Sequence, residues 1–452
     1  MPNFKASRLS IPGGSAPLYE RLASAIEVLI ADGDLQAGDQ LPTHRELARE
    51  AGVSIGIVTK AVDLLSARGV LRGEVGRGTF VIDASLSASD SAIVDLTINA
   101  PPPVIDPEIF SAATRMAAHT ASRIPNSGYA DLTGTERQRA AISDWLGRTR
   151  VNIPADELLI TVGAQQAIHL AFEDLRQHGP TILSEAETFP GAIVAAKNLS
   201  LVMEAVAHDR EGMLPEALDE CLQRSGAKIV YTTPVCQNPL GFEVGETRRR
   251  AIAKICRKHG AFIVEDDIYA LYSASGAPTY KELAPDLTYY LTSFSKCMSP
   301  LLRVGLLSPP TGRRASLARH LRAEVWGASP VSIEIALALL ELEADVAAAE
   351  VLRSEARERV QLSATLLGLK ALPMPSGAPH IWLPMSPLAA ERLARRASEE
   401  DVRLTPPGAT SIGAESEGGI RLCIMAPPQQ SSLKRALVTI ARLMDGDESE
   451  IV

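Results

Sequence analysis

Apolar residues recur at helical spacing near the start of the chain, where Leu18, Leu22, Ile26, Leu29 and Ile30 mark one face of a helix. Asp32, Gly33 and Asp34 end it. A second helix opens in LPTHRELAREAG, with Thr43 placed as N-cap and Glu46 three residues later completing a capping box. Gly52 supplies a tight turn, and SIGIVTKAVDLLSARG, capped by Ser54, predicts a third short amphipathic helix. VLRGEVGRGTFVI then predicts two short strands around Gly76, Arg77 and Gly78, a β-hairpin wing. Helix, helix, turn, helix and wing in this order predict a winged helix-turn-helix over 1–82.

DASLSASDSA, from Asp83 to Ala92, is small and polar and marks a short linker, placed at 83–94. From Asp95 onward strand and helix patterns alternate. LLITVGAQQAIHLAFEDL is a strand, a glycine turn and a helix, and TILSEAETFPGAIVAAKNL repeats that grammar. KIVYTTP, ETRRRAIAKICRKHG and AFIVEDDIYAL follow as strand, helix and strand. Such alternation predicts a largely parallel sheet covered by helices, an α/β domain over 95–452. Its large part runs to about 330, and the rest, helical and then with strands in SGAPHIWLPM and GGIRLCIMA, predicts a smaller α+β part over 331–452.

At 452 residues the chain exceeds one ordinary core. Its 46% hydrophobic and 22% charged residues are those of an ordinary globular protein, and a net charge of −9 argues against broad coating of nucleic acid while leaving room for a small DNA-binding face. The five cysteines form no Cys-x-x-Cys pair and the eight histidines show no ligand spacing, so no metal site is expected. The N-terminus lacks an apolar signal core and no apolar run is long enough to span a membrane. A cytoplasmic protein of bacterial type is expected, with no membrane partner.

Ligands of α/β proteins gather at the carboxyl ends of the strands, and four motifs are expected there. GAQQ (Gly163–Gln166) turns into a helix whose free N–H groups can hold a phosphate. NPLG (Asn238–Gly241) is a turn, EDDIY (Glu265–Tyr269) sets carboxylates and a phenol at a strand end, and SFSK ends on Lys296, seven residues before Arg303. Singly, each has a plain structural explanation as a turn, a helix cap, an ion-pair partner or a solvated lysine.

Together, in this order, GAQQ, ETFPG, QNPLG, EDDIY and SFSK with Arg303 resemble the fold-type I aminotransferases, which bind pyridoxal 5′-phosphate (PLP). The N-terminal module resembles the GntR winged helix, and the pairing is similar to the MocR regulators. The resemblance implies that Lys296 forms a Schiff base with PLP, that Asp266 pairs with its pyridine nitrogen, and that Tyr269 and Asn238 bond its phenolic oxygen. Phe189 would stack on the ring, while Gly163, Ala164, Gln165, Ser293, Ser295 and Arg303 surround the phosphate. Arg421 in GGIRLCI would grip an effector carboxylate. Two departures border that pocket: Glu187 stands where the family usually has Pro, and HIWLPM replaces a Gly-containing strand entry.

In GntR-type modules the helix from Ser54 to Arg68 enters the major groove, which makes Arg45, Thr59 and Lys60 candidate DNA contacts, with Gly76 and Arg77 at the wing tip. Ile55 stands where many relatives have Arg. With six Lys/Arg against five Asp/Glu from Leu41 to Asp83, one module binds weakly, so a homodimer, domain-swapped as the resemblance implies, is expected on double-stranded DNA. The expected function is a transcription regulator in which an amine or amino-acid effector forms an external aldimine in place of Lys296 and resets paired winged helices on an operator. The alternatives are a working aminotransferase with an accessory DNA module, and a sensor of PLP itself.

Overall fold

Leu22, Ile26 and Leu29 project from one face of α1 (Leu18–Ala31) and meet Leu47 of α2 (His44–Ala51) and Val58, Val62 and Leu65 of α3 (Ile55–Ala67). Leu71 of β1 (Leu71–Glu74) and Val81 of β2 (Gly78–Val81), an antiparallel pair, close this small core. The computed structural model describes residues 11, 17–31, 34–35, 38–67, 70–74, 78–81, 93–123, 129, 131–369, 377–413 and 418–448. Gly76 and Arg77 of the wing tip and the linker from Asp83 to Ala92 lie outside them. The Thr43–Glu46 capping box forms at the start of α2, and Gly52, at φ +64°, caps its end by donating its N–H to Ala48 O. The chain forms two compact units, 1–92 and 93–452.

The second unit begins with β3 (Val94–Asp95), which pairs in parallel with β14 (Val402–Arg403). After α4 (Pro107–Ala121) and α5 (Glu136–Thr149), strands and helices alternate: β4 (Leu159–Thr161), α6 (Ala164–Leu175), β5 (Thr181–Glu185), α7 (Pro190–Asn198) and β6 (Val202–Val206). A small hairpin, β7 (His208–Asp209) with β8 (Gly212–Met213), precedes α8 (Pro215–Ser225), β9 (Ile229–Thr232), α9 (Glu246–His259) and β10 (Phe262–Asp266). Then come α10 (Tyr280–Leu283), β11 (Thr288–Ser293) and β12 (Gly305–Ser308). The seven-stranded sheet runs β4-β12-β11-β10-β9-β5-β6, parallel except at β12, which is antiparallel to both neighbours.

Both faces of this sheet are covered. Tyr231 and Val264 lie in one apolar cluster with Ile168 and Phe172 of α6; Val230 and Ile263, their neighbours in sequence, lie in another with Leu218 of α8 and Ile252 of α9. Adjacent residues on a strand point to opposite faces, so near-continuous apolar strands need helices on both sides. The smaller part follows α11 (Arg314–Glu324), α12 (Pro330–Glu341) and α13 (Ala344–Leu366), and holds the antiparallel pair β13 (Ile381–Pro384) and β15 (Gly419–Leu422) with α14 (Pro387–Glu399) and α15 (Gln430–Glu448). The second unit is thus a helix-covered seven-stranded α/β sheet with a smaller α+β part, and the first is a helix-turn-helix with a two-stranded wing. Among the described residues no helix is long and apolar enough to cross a membrane.

Candidate functional site

The carboxyl ends of β5, β9, β10 and β11 deliver Phe189, Asn238, Asp266 and Lys296 to one region. Asp266 ends β10 and is buried; its Oδ2 accepts a hydrogen bond from the Tyr231 hydroxyl at 2.8 Å, and its Oδ1 has no partner among the described residues. Burial pushes its carboxyl up to about 7, held back by the Tyr231 bond. Lys296 lies in the turn after β11, and its Nζ donates to the backbone oxygen of Asn99. Burial lowers this amine to about 8, and the nearby Arg421 and Arg303 guanidinium groups act in the same direction.

That shift has a consequence for the free protein. The folded amine loses its proton well below the ordinary 10.5, so the protonated form is disfavoured in the fold below about pH 8 and this penalty fades as pH rises toward 10.5. Modification of Lys296 by an amine-reactive reagent, followed by peptide mass mapping, is expected to rise with a midpoint near pH 8. A midpoint near 10.5 would show that burial does not act on this amine.

A polar network surrounds the lysine. Asn99 Nδ2 donates to the Tyr269 hydroxyl at 2.9 Å and to His380 Nδ1 at 2.8 Å. His380 Nε2 lies 3.0 Å from Gln237 O, which can only accept, so Nε2 carries the proton and Nδ1 is the acceptor facing Asn99. Burial pushes His380 down to about 3, and it stays neutral through the physiological range. Burial likewise raises the Tyr269 phenol.

Arg421 in β15 is buried. Its Nη1 donates to Asn238 Oδ1 at 2.7 Å; its Nη2 donates to Thr97 O at 2.6 Å and Thr405 Oγ1 at 3.2 Å, and its Nε has no partner among the described residues. Asn238, before a cis Pro239, likewise has a buried Nδ2 without a partner. The GAQQ turn sits at the N-terminus of α6. Gly163 adopts φ +77°, which strains any other residue, and a Cβ there would lie 3.0 Å from Arg303 Nη2 and push the guanidinium back by a few tenths of an ångström. Ser293 Oγ accepts the Ser295 N–H at 2.9 Å, and the buried Ser295 hydroxyl has no partner. Gln165 is exposed and donates to Gly191 O at 2.7 Å beside the half-buried Phe189, which caps α7.

Of the remaining expected contacts, Arg45 and Lys60 are exposed on the first unit. Thr59 is half-buried, and its hydroxyl is taken up by Ile55 O at 3.1 Å and His44 Nδ1 at 3.2 Å. Sequence reasoning missed Asn99, Tyr231 and His380 as site residues. His380 lies in the HIWLPM departure, which was the available signal; Tyr231 reads as one apolar residue of a buried strand, and Asn99 as part of a loop before prolines.

Residues 91–440 match the family model described as "Aminotransferase class I and II", and residues 18–81 match "Bacterial regulatory proteins, gntR family". The chain is 25% identical over 449 residues to the protein described as "Uncharacterized HTH-type transcriptional regulator YdeF" of Bacillus subtilis (strain 168), with 96% of each covered. It is 26% identical over 311 residues to "HTH-type pyridoxine biosynthesis transcriptional regulator PdxR" of Corynebacterium glutamicum, covering 66% of this chain and 67% of that one. Among solved structures it is similar to LysN, the alpha-aminoadipate aminotransferase of Thermus thermophilus complexed with N-(5′-phosphopyridoxyl)-L-leucine, with a TM-score of 0.71, 25% identity, and 81% and 96% of the two chains covered.

Proposed function

Because the chain belongs to the class I and II aminotransferase family and carries a GntR-type module ahead of that domain, we propose that it is a DNA-binding transcription regulator whose second unit holds PLP at Lys296 and answers an amine or amino-acid effector. The observation that carries this reading is a set of buried polar atoms around that lysine without partners among the described residues: the acceptor Asp266 Oδ1, the donors Asn238 Nδ2 and Arg421 Nε, and the Ser295 hydroxyl. Buried polar atoms are rarely left unpaired, so a cluster of them marks a place built for another polar group.

The set fits PLP. Asp266 would hold the protonated ring nitrogen, Asn238 and Tyr269 the phenolic oxygen, and Ser293, Ser295, Arg303 and the first N–H groups of α6 the phosphate, with Phe189 against the ring. When bound, PLP supplies an aldehyde carbon that exchanges one primary amine for another and a chromophore that reports the exchange. Lys296 is the chain's own amine for that carbon, and an amine near 8 is neutral in useful amounts at physiological pH. Asn99 O accepts the Lys296 amine and Asn99 Nδ2 holds the Tyr269 hydroxyl, which fixes both beside one another. Arg421, held rigid by Asn238, Thr97 and Thr405, presents a pre-oriented guanidinium to an effector carboxylate.

The regulator works as a homodimer, which sets two weakly basic N-terminal units on one operator and raises their effective concentration. Leu301, between Lys296 and Arg303, is 77% exposed and offers apolar surface to a second copy. An effector shifts the balance between arrangements of the paired DNA-binding units by its differential affinity for them. The site also carries what a transaminase needs, a Lys296 amine that burial leaves partly neutral near physiological pH and an Asp266 carboxyl placed for the ring nitrogen.

The visible absorption spectrum of the purified protein with PLP, followed as amino compounds are added singly, separates these readings. A visible band that appears only with PLP would be the expected sign of PLP joined to an amine. A band that shifts with one compound and persists supports the sensor. Decay followed by recovery on adding a 2-oxo acid supports transaminase turnover, and no band at any PLP concentration removes the cofactor from the account.

A further inference from the structure

The start of α3 in the N-terminal unit is unusual for a surface that meets a polar partner. Four of the neighbouring polar side chains are committed within the unit, Thr43 with Glu46 and Thr59 with His44. Glu46 Oε2 accepts the Thr43 N–H at 2.9 Å and the Thr43 hydroxyl at 2.8 Å. The Thr59 hydroxyl donates to Ile55 O and accepts from His44 Nδ1, so it bridges α2 and α3 and is not free to read a base. What α3 leaves outward at its first turn is Ile55, 48% exposed, followed by Gly56, also exposed.

Neither residue serves the core. Val58, Val62 and Leu65 fill it from the other face of α3. Gly56 lies within the helix, not in the left-handed region, and a Cβ added there meets nothing within 4 Å among the described residues. A glycine in an exposed helical position weakens the helix relative to alanine, so the fold gains nothing from it. Its effect is to leave bare backbone beside an exposed isoleucine, with the exposed cations Arg45, Arg49 and Lys60 on the same two helices. In helix-turn-helix modules the N-terminal residues of the second helix face base edges in the major groove. There the one apolar feature that distinguishes a base is the C5-methyl group of thymine.

Resting on the DNA-binding reading, we propose that Ile55 and the bare backbone at Gly56 form an apolar step that seats a thymine methyl group in the major groove. The operator is then specified at that position by a methyl contact, while Arg45, Arg49 and Lys60 supply sequence-independent attraction to phosphates. An arginine at position 55 would instead favour guanine through its O6 and N7.

The test uses the full-length protein. A preferred duplex is selected from a random pool, and its thymines are replaced one at a time by deoxyuridine, which lacks only the methyl group. One position per half-site is expected to lose about fourfold in affinity, the worth of one methyl-sized group removed from water. Ile55→Ala should abolish that sensitivity, and Ile55→Arg should move the selected base toward guanine. Gly56→Ala should raise or preserve the melting temperature yet weaken binding to the selected duplex, because the added Cβ occupies the space of the methyl group. Silent deoxyuridine at every position, or Gly56→Ala binding as tightly as the parent, overturns the proposal. Failure to bind any duplex instead overturns the DNA-binding reading on which it rests.

Discussion

Replacing Lys296 by alanine is expected to remove the PLP-linked visible band and every spectral and DNA-binding response to amino compounds, while the N-terminal unit still binds its operator. The two activities rest on separate cores. The DNA-binding unit is closed by Leu22, Leu47, Val58, Leu65 and Val81, and none of these belongs to the apolar clusters around the sheet. The substitution removes an amine that burial disfavours as a cation, so the second unit should not unfold; the group left behind is the Asn99 carbonyl oxygen. Binding of operator by the variant without effector should stay within about threefold of the parent, which is less than 1 kcal/mol. A ligand moves an equilibrium only by its differential affinity, and a site that cannot hold the effector has none to give. Measured by operator mobility shift with and without effector, a Lys296→Ala protein that still responds would place the sensing elsewhere in the chain. Loss of all operator binding would mean that the second unit governs the first even in the absence of effector.

The first unit is legible in its sequence because its signals are local. The Thr43–Glu46 box, the left-handed Gly52 and the spacing of Val58, Val62 and Leu65 each act within one turn or one helix. The central sheet is legible in kind from the alternation of strands and helices, but its order is not, since pairing such as β5 with β9 joins Ile182 to Ile229 across the intervening strands and helices. The antiparallel β12 is a partial exception. β11 ends at Ser293 and β12 begins at Gly305 with no α-helix between them, and a parallel crossover needs a dozen or more residues; the shortness of that link was the available clue.

The site divides in the same way. Asp266, Asn238 and Lys296 were named through the order of motifs that resemble a family, and the fold places them at strand ends of one sheet. Asn99, His380 and Tyr231 have no such motif. Asn99 is 197 residues from Lys296 and 281 from His380, so only the folded chain brings them together. Tyr231 bonds Asp266 from the neighbouring strand, and its polarity is hidden in sequence by the apolar run around it.

Asp266→Asn is expected to show the opposing demands on this site in one protein. In the parent, burial raises the carboxyl from 3.8 to about 7. A carboxyl whose folded pKa lies above its unfolded one destabilises the fold when ionised: the penalty is absent below about pH 4, grows through the interval, and is complete above about 7. Its full size is roughly 4 kcal/mol, taken at 1.36 kcal/mol for each pH unit between the two values. An amide has no charge to desolvate and keeps an oxygen for the Tyr231 hydroxyl. Without PLP the variant should therefore melt several degrees higher than the parent at pH 8, and the difference should vanish near pH 4. With PLP that advantage should shrink. A carboxylate facing a protonated ring nitrogen forms a charge-assisted bond, which an amide cannot supply, and hydrogen bonds to charged groups contribute about 1.5–3 kcal/mol. PLP affinity should fall by roughly 10- to 100-fold, on the order of that loss. Melting curves at pH 4 and pH 8, each with and without PLP, measure both effects together. A variant that melts lower at pH 8 without PLP would show that Asp266 is not a strained buried acid. A variant that binds PLP as tightly as the parent would show that its partnerless Oδ1 is not turned toward the ring nitrogen.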